Sequence, residues 1–137
     1  MRALTFLVDR FAWSPFSRTL DDAPDASPGE VADALVAFLH VEPDDVTEEL
    51  GDKVFKKLLK HLKWLANKRE LKTIVLHSFT HLGADNADAD AALALFDRLA
   101  ERLRDTGYAV EITPFGWFCS WILDVRGESL AKVYKQI

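Results

Sequence analysis

DRLAERLRDTGYAVEITPFGWF, residues 97–118, decides how this chain of 137 residues folds. Its first half closes a helix that begins near Asp88 and ends at Thr106, with Gly107 at the C′ position, where a left-handed backbone commonly terminates a helix. Tyr108–Thr113 then reads as a strand, Pro114-Phe115-Gly116 as a turn, and Trp117–Val125 as a second strand. A helix that feeds directly into strands belongs to an alternating α/β pattern.

The alternation extends outward from this stretch. Thr73–Phe79 is a strand, and Pro43, Asp44 and Asp45 open a helical region, broken at Gly51, that runs to about Asn67. Ala34–Val41 (ALVAFLHV) is apolar on both faces and therefore a central, buried strand. Ala3–Val8 is a strand, Phe11–Ser17 a weaker edge strand interrupted by Pro15, and Asp21–Glu30 (DDAPDASPGE) an acidic, Pro-rich loop. Downstream, Gly127 turns the chain into a short C-terminal helix capped by Ser129. The expected order is β-β-β-α-β-α-β-β-α. It gives one α/β domain over residues 1–137, with a mixed sheet, two main helices and a short C-terminal helix.

A chain of this length buries enough surface to form a core without metals or disulfides. Its single cysteine, Cys119, cannot form an internal disulfide, and its apolar runs fall short of the ~20 residues of a membrane span. Met1–Val8 is too short for a signal peptide, so the expected compartment is the cytoplasm. The formal charge of −5 is unevenly spread. Residues 1–52 carry 3 basic and 12 acidic side chains, residues 53–72 carry 8 and 1, and residues 73–137 carry 6 and 9. In the basic block, Lys53, Lys56, Lys57 and Lys60 recur at helical spacing opposite Val54, Phe55, Leu58, Leu59, Leu62 and Leu65. The stripe is either a phosphate-binding surface or the solvated side of an amphipathic helix.

Polar and reactive groups gather at two strand ends, Ser78-Phe79-Thr80-His81-Leu82 and Pro114-Phe115-Gly116-Trp117-Phe118-Cys119, where α/β folds usually build ligand sites. An extended backbone puts His77, Phe79 and His81 on one face, and Trp117, Cys119, Trp121 and Leu123 on one face of the later strand. His77 and His81 are then about 13 Å apart, too far to share a metal. His40 lies in an apolar strand and His61 on the lysine-rich helix; no spacing reads as a zinc, EF-hand or P-loop site, and no cofactor is expected. Cys119 with His81 would pair a thiol with a base. No third orienting group accompanies them, and a lone buried cysteine is ordinarily a small hydrophobe.

The strings ALVAFLHVE, HSFTHL, DRLAERLRDTGYAVEITPFGWF and GESLAK, in this order and spacing, resemble the N-terminal editing domain of archaeal-type threonyl-tRNA synthetases. That family's fold is similar to D-aminoacyl-tRNA deacylases. Its two key segments read aromatic-Pro-Phe-Ala-His-Leu and Pro-Phe-Gly-Tyr-Tyr-Lys. Phe79, His81, Leu82, Pro114, Phe115 and Gly116 match, while Trp117 and Phe118 keep the aromatic character. The resemblance begins at Met1-Arg2-Ala3-Leu4 and runs to Ile137, about where the family's domain gives way to a linker.

The resemblance implies hydrolysis of the ester of mischarged tRNA, removing serine from the threonine-specific tRNA, with the ribose 2′-hydroxyl of the terminal adenosine assisting the water. It implies a substrate pocket made by the main chain around His40 and Val41, by Phe79, Thr80 and His81, and by Pro114, Phe115, Gly116, Trp117, Phe118 and Cys119. Partners would be the 3′ end of tRNA, a second copy in a homodimer, and a synthetase from which the domain was cut unless it acts in trans. The lysine stripe would contact tRNA. Cys119 stands where the family has lysine, and Lys132 where it has glutamate. Lys132 on the terminal helix either restores the missing ammonium across the pocket or is an ordinary exposed lysine. The competing class is a binding module that kept the pocket and lost the charged groups.

Overall fold

The computed structural model describes residues 1–137. Its elements are β1 (Arg2–Arg18), β2 (Gly29–His40), α1 (Gly51–Lys68), β3 (Thr73–Ser78), α2 (Ala89–Asp105), β4 (Ala109–Ile112), β5 (Trp117–Val125) and β6 (Lys132–Gln136). They form one six-stranded sheet in the order β4-β3-β2-β1-β5, with β6 also paired to β1. β2, β3 and β4 run parallel, and β1 is antiparallel to β2, β5 and β6, so the sheet is mixed as expected.

The first two expected strands are one. β1 passes through Asp9 with a register shift between Val8 and Arg10, and through Pro15 with another before Ser17. Pro15 is tolerated because pairing with β2 ends at Trp13↔Gly29, so only β5 flanks β1 at that point. The C-terminal helix is also corrected. Ser129–Ala131 make a single 3₁₀ turn, and Lys132–Gln136 continue as β6, from Phe6↔Lys132 to Arg2↔Gln136. β5 covers β1 only from Val8 onward, which leaves the edge of Arg2–Phe6 vacant, and the β-formers Val133 and Tyr134 fill it.

Both helices pack on one face. Their buried side chains, among them Leu58, Leu62, Leu65, Phe96, Leu99 and Leu103, join Leu7, Leu35, Leu39, Ile74 and Leu76 in the main core of 25 residues. Gly107 follows α2 as expected, with φ +101°, and at the other end the Asp88 carboxylate caps the helix by accepting from the amides of Asp90 and Ala91. The opposite sheet face carries a cluster of seven, Val8, Phe11, Trp13, Ala34, Val36, Phe38 and Val75, with Phe79, Cys119 and Leu123 packed against it. The sheet thus brings β5 close to β2 and β3, and Trp121 lies with its ring centroid 4.9 Å from Phe38 and 5.2 Å from His77. No helix is long and apolar enough to cross a membrane.

Candidate active site

The parallel strands end together at His40, Ser78 and Ile112, and the chain leaving each end is tied to its neighbour. Phe79 N–H donates to the Leu39 carbonyl (3.0 Å), Thr113 N–H to Leu76 (3.1 Å) and Ala87 N–H to Val41 (2.9 Å). His40, wholly buried, pins the loop beyond β3. Its Nδ1 accepts from Leu82 N–H at 3.1 Å, so the ring proton sits on Nε2, which donates to the Asp85 carbonyl at 2.8 Å. The β4–β5 turn is held from the far end of β1, because the Gly116 carbonyl accepts from Thr19 N–H (2.7 Å) and Leu20 N–H (3.2 Å). Gly116 has φ +81°, and a Cβ there would lie 2.9 Å from Ala23. A larger residue is therefore excluded by both backbone strain and space.

These ties enclose two adjoining cavities. The larger, ≈ 300 Å³, is bounded by His77, Phe79, His81, Trp117, Phe118 and Trp121, with Cys119 also in its wall. The smaller, ≈ 200 Å³, is lined by Val41, Asn86, Ala87, Ala89, Ala92 and Phe115, among others. Thr19, Ser78, Thr80 and Gly116 border both. Neither wall includes a Lys, Arg, Asp or Glu side chain. His77 reinforces the neutrality: burial pushes its pKa down to about 4, and its Nδ1 is 2.7 Å from the Thr113 hydroxyl. Burial also raises the pKa of the Cys119 thiol, which disfavours the thiolate that a nucleophile needs. The amides of Thr80 and His81, between Phe79 and Leu82, have no acceptor within the protein.

The structure gathers most of the residues singled out in the sequence. Phe79, Thr80, His81 and Pro114–Cys119 surround the two cavities. His81 follows β3 in a turn, exposed, with its ring edge-on to Phe79 at 5.2 Å. Val41 reaches the smaller cavity, whereas the His40 ring points to the loop it pins. Lys132 is not part of the site. It lies opposite Phe6 and Cys119 opposite Pro15 along the same strand, a separation of nine residues or about 30 Å, far beyond the ~6 Å lysine stem. Its ammonium donates to the Arg126 carbonyl at 3.0 Å. The exchange of charged positions between Cys119 and Lys132 is thus not compensatory.

Several wall residues escaped the sequence reading as site members, among them His77, Trp121, Thr19 and, in the smaller cavity, Leu20, Asn86, Ala87, Ala89 and Ala92. His77 and Trp121 were on the correct strand faces, and the period-two alternation that put them there was the available signal. Thr19 had none, because it is carried in from the end of β1 by the Gly116 contact. Away from the cavities, Lys53, Lys56, Lys57 and Lys60 are exposed on α1, and no lysine of the protein lies within ion-pair distance of a carboxylate. No group of His, Cys, Asp and Glu side chains is arranged to hold a metal.

Comparison with known proteins gives concordant matches. The model of the archaea-specific editing domain of threonyl-tRNA synthetase matches residues 1–137. The threonine–tRNA ligase of Staphylothermus marinus is 32% identical over 142 residues, covering 100% of this chain and 22% of the ligase. That of Thermococcus kodakarensis is 31% identical over 109 residues, covering 80% of this chain and 17% of the ligase. The chain therefore spans about a fifth of the length of these relatives. Among solved structures, the c-Myc DNA unwinding element binding protein superposes with a TM-score of 0.67 at 14% identity, covering 100% of this chain and 99% of that one, a likeness of fold.

Proposed function

Because the chain belongs to the archaea-specific editing-domain family of threonyl-tRNA synthetases, we propose that it hydrolyses the ester of mischarged tRNA, with Ser-tRNA(Thr) as substrate. The observation that carries this reading is the pair of adjoining uncharged cavities at the strand ends. Phe79, His81, Trp117, Phe118 and Trp121 offer aromatic surface to the terminal adenosine. The smaller cavity, with Thr19, Ser78, Thr80 and Asn86 among short apolar side chains, suits a small hydroxylated amino acid. The ester then lies at the seam, beside Thr80 and Gly116.

Hydrolysis at such a seam adds water to the ester carbonyl carbon, passes through a tetrahedral oxyanion and expels the ribose 3′-oxygen, which takes up a proton. The unpartnered amides of Thr80 and His81 are the protein's donors for the oxyanion. The substrate's 2′-hydroxyl helps to position and activate the water, and the His81 ring, exposed at the mouth, is a hydrogen-bonding partner for the terminal ribose. No side-chain nucleophile is required. Catalysis on this account is positioning and preorganised electrostatics, in keeping with a neutral wall and a thiol held protonated. Lys53, Lys56, Lys57 and Lys60 contact tRNA phosphates, supported by their freedom from ion pairs. A homodimer, as part of this proposal, is supported by the open edge of β5, where Phe118 and Ile122 are 58% and 54% exposed.

The absence of a charged side chain from the cavities also favours a second reading, a module that binds aminoacyl-tRNA without hydrolysing it. Incubating the pure protein with Ser-tRNA(Thr), Thr-tRNA(Thr) and a D-aminoacyl-tRNA separates the two. Faster loss of serine than of threonine supports editing; preference for the D-aminoacyl ester refutes the substrate; protection of every ester supports the binding module.

A further inference from the structure

The solvent side of α1 holds a residue that neither packing nor the cavities explain. Trp64 is 46% exposed one turn beyond Lys60, on the lysine-bearing side of the helix and before Lys68. At 3.6 residues per turn it projects within about 40° of Lys53, Lys57, Lys60 and Lys68, and nearly opposite the fully buried Leu62. His61, buried, is its neighbour one turn back, with ring centroids 6.2 Å apart and planes 24° from parallel. The Lys68 ammonium lies over the ring, 5.8 Å from its centroid. Burial and the nearby Lys135 lower the proton affinity of His61, which adds a β6 cation to the same patch.

A large aromatic surface left in water among cations is the arrangement that proteins use for unpaired nucleic acid, with lysines along the backbone and a ring for one base. Lys53 and Lys57 also line a surface groove of ≈ 490 Å³ that reaches Asp85, whose carbonyl holds His40, but Glu42, Asp44 and Asp45 line the same groove, so the cationic row proper is the outward side of α1 from Lys57 to Lys68. From Lys53 to Trp64 the helix rises about 17 Å.

We propose that the outward face of α1 is an RNA-docking track on which Trp64 stacks against an unpaired base, at or next to the junction between the single-stranded 3′ end of a tRNA and its acceptor stem. The inference rests on the editing reading for the identity of the RNA, and on α1 for the contact. Lys68 moves off the ring when the base arrives and meets the adjoining phosphate. An anionic membrane is the other polyanion that a Lys and Trp face attracts, but a single Trp on a helix whose opposite side is committed to the core offers little surface to insert.

The test measures binding of the folded chain to an RNA acceptor-stem hairpin ending in a four-nucleotide single strand, to the same hairpin with a blunt end, and to phosphatidylserine vesicles. Trp64→Ala is expected to weaken binding to the overhang hairpin about tenfold or more with no change in the salt slope, to leave blunt-hairpin binding unaltered, and to be largely rescued by Trp64→Phe. Because Trp64 lies on the solvent side, the variant should keep its unfolding temperature. Equal binding of Trp64→Ala and wild type to the overhang hairpin would overturn the proposal. So would an equal loss on the blunt hairpin, or Trp64-dependent binding to vesicles in place of RNA. Hydrolysis of Ser-tRNA(Thr) measured alongside separates the two claims: Trp64-dependent hairpin binding without hydrolysis refutes the deacylase alone, and hydrolysis with an indifferent Trp64 refutes the docking track alone.

Discussion

Replacing His77 by phenylalanine should make the protein less sensitive to acid. The folded-state pKa of His77 is about 4 because burial disfavours the imidazolium, whereas in the unfolded chain it returns to its ordinary 6.5. Between these values the unfolded chain binds a proton that the folded chain does not, so stability rises with pH through this window and falls as acid is added. At about 1.4 kcal/mol per pH unit, wild type should lose about 2 kcal/mol between pH 7.5 and pH 5 through this residue alone, and about 3 kcal/mol by pH 4. The carboxylates with lowered pKa, Glu30, Glu42 and Asp52, lose their contributions only as pH falls below their ordinary values near 4. His61, also lowered, remains in both proteins and cancels in the difference. Urea unfolding at pH 7.5, 6 and 5 measures the effect. A phenyl ring in place of the His77 imidazole fits among Phe38, Phe79 and Trp121, so the variant should fold while leaving the Thr113 hydroxyl only the Leu76 carbonyl as partner. Parallel stability curves for the two proteins would refute the reasoning.

Three further outcomes are expected. Reversing Lys57 and Lys60 to glutamate should weaken tRNA binding and lower the slope of log K against log salt by roughly 2; an unchanged slope returns the stripe to a solvated helix face. Gly116→Ala places a side chain at φ +81° and 2.9 Å from Ala23, and thermal unfolding should show a loss of about 1–3 kcal/mol together with impaired hydrolysis, because the turn that carries Trp117 must shift. Lys132→Met should leave hydrolysis unchanged, since its ammonium is tied to the Arg126 carbonyl at the other end of β1; a tenfold loss would show that the strand register misplaces it.

The fold was legible wherever local chemistry decides structure. The helical pattern that begins near Asp88, Gly107 at its end and the mainly apolar run of Ala34–Val41 identify α2 and the buried part of β2 without reference to the rest of the chain. What could not be read locally depends on partners. Pro15 looks like a strand breaker until β2 is known to end before it, and Lys132–Gln136 become a strand because β5 leaves the first residues of β1 unpaired. The candidate site divides the same way. Phe79, His81 and Pro114–Cys119 announce themselves at strand ends, but Thr19 enters through a long-range bond to Gly116, and the distance that removes Lys132 exists only in the sheet register.

The central claim, that the chain cleaves the mischarged ester by positioning and backbone electrostatics, is tested most directly by single-turnover hydrolysis of Ser-tRNA(Thr) with wild type and Cys119→Ala. The account predicts that both proteins release serine well above the spontaneous rate and at rates within about twofold of each other, because the thiol is a protonated wall group. An inactive Cys119→Ala beside an active wild type would contradict it in favour of a thiol nucleophile, and spontaneous rates with both proteins would contradict it in favour of a binding module.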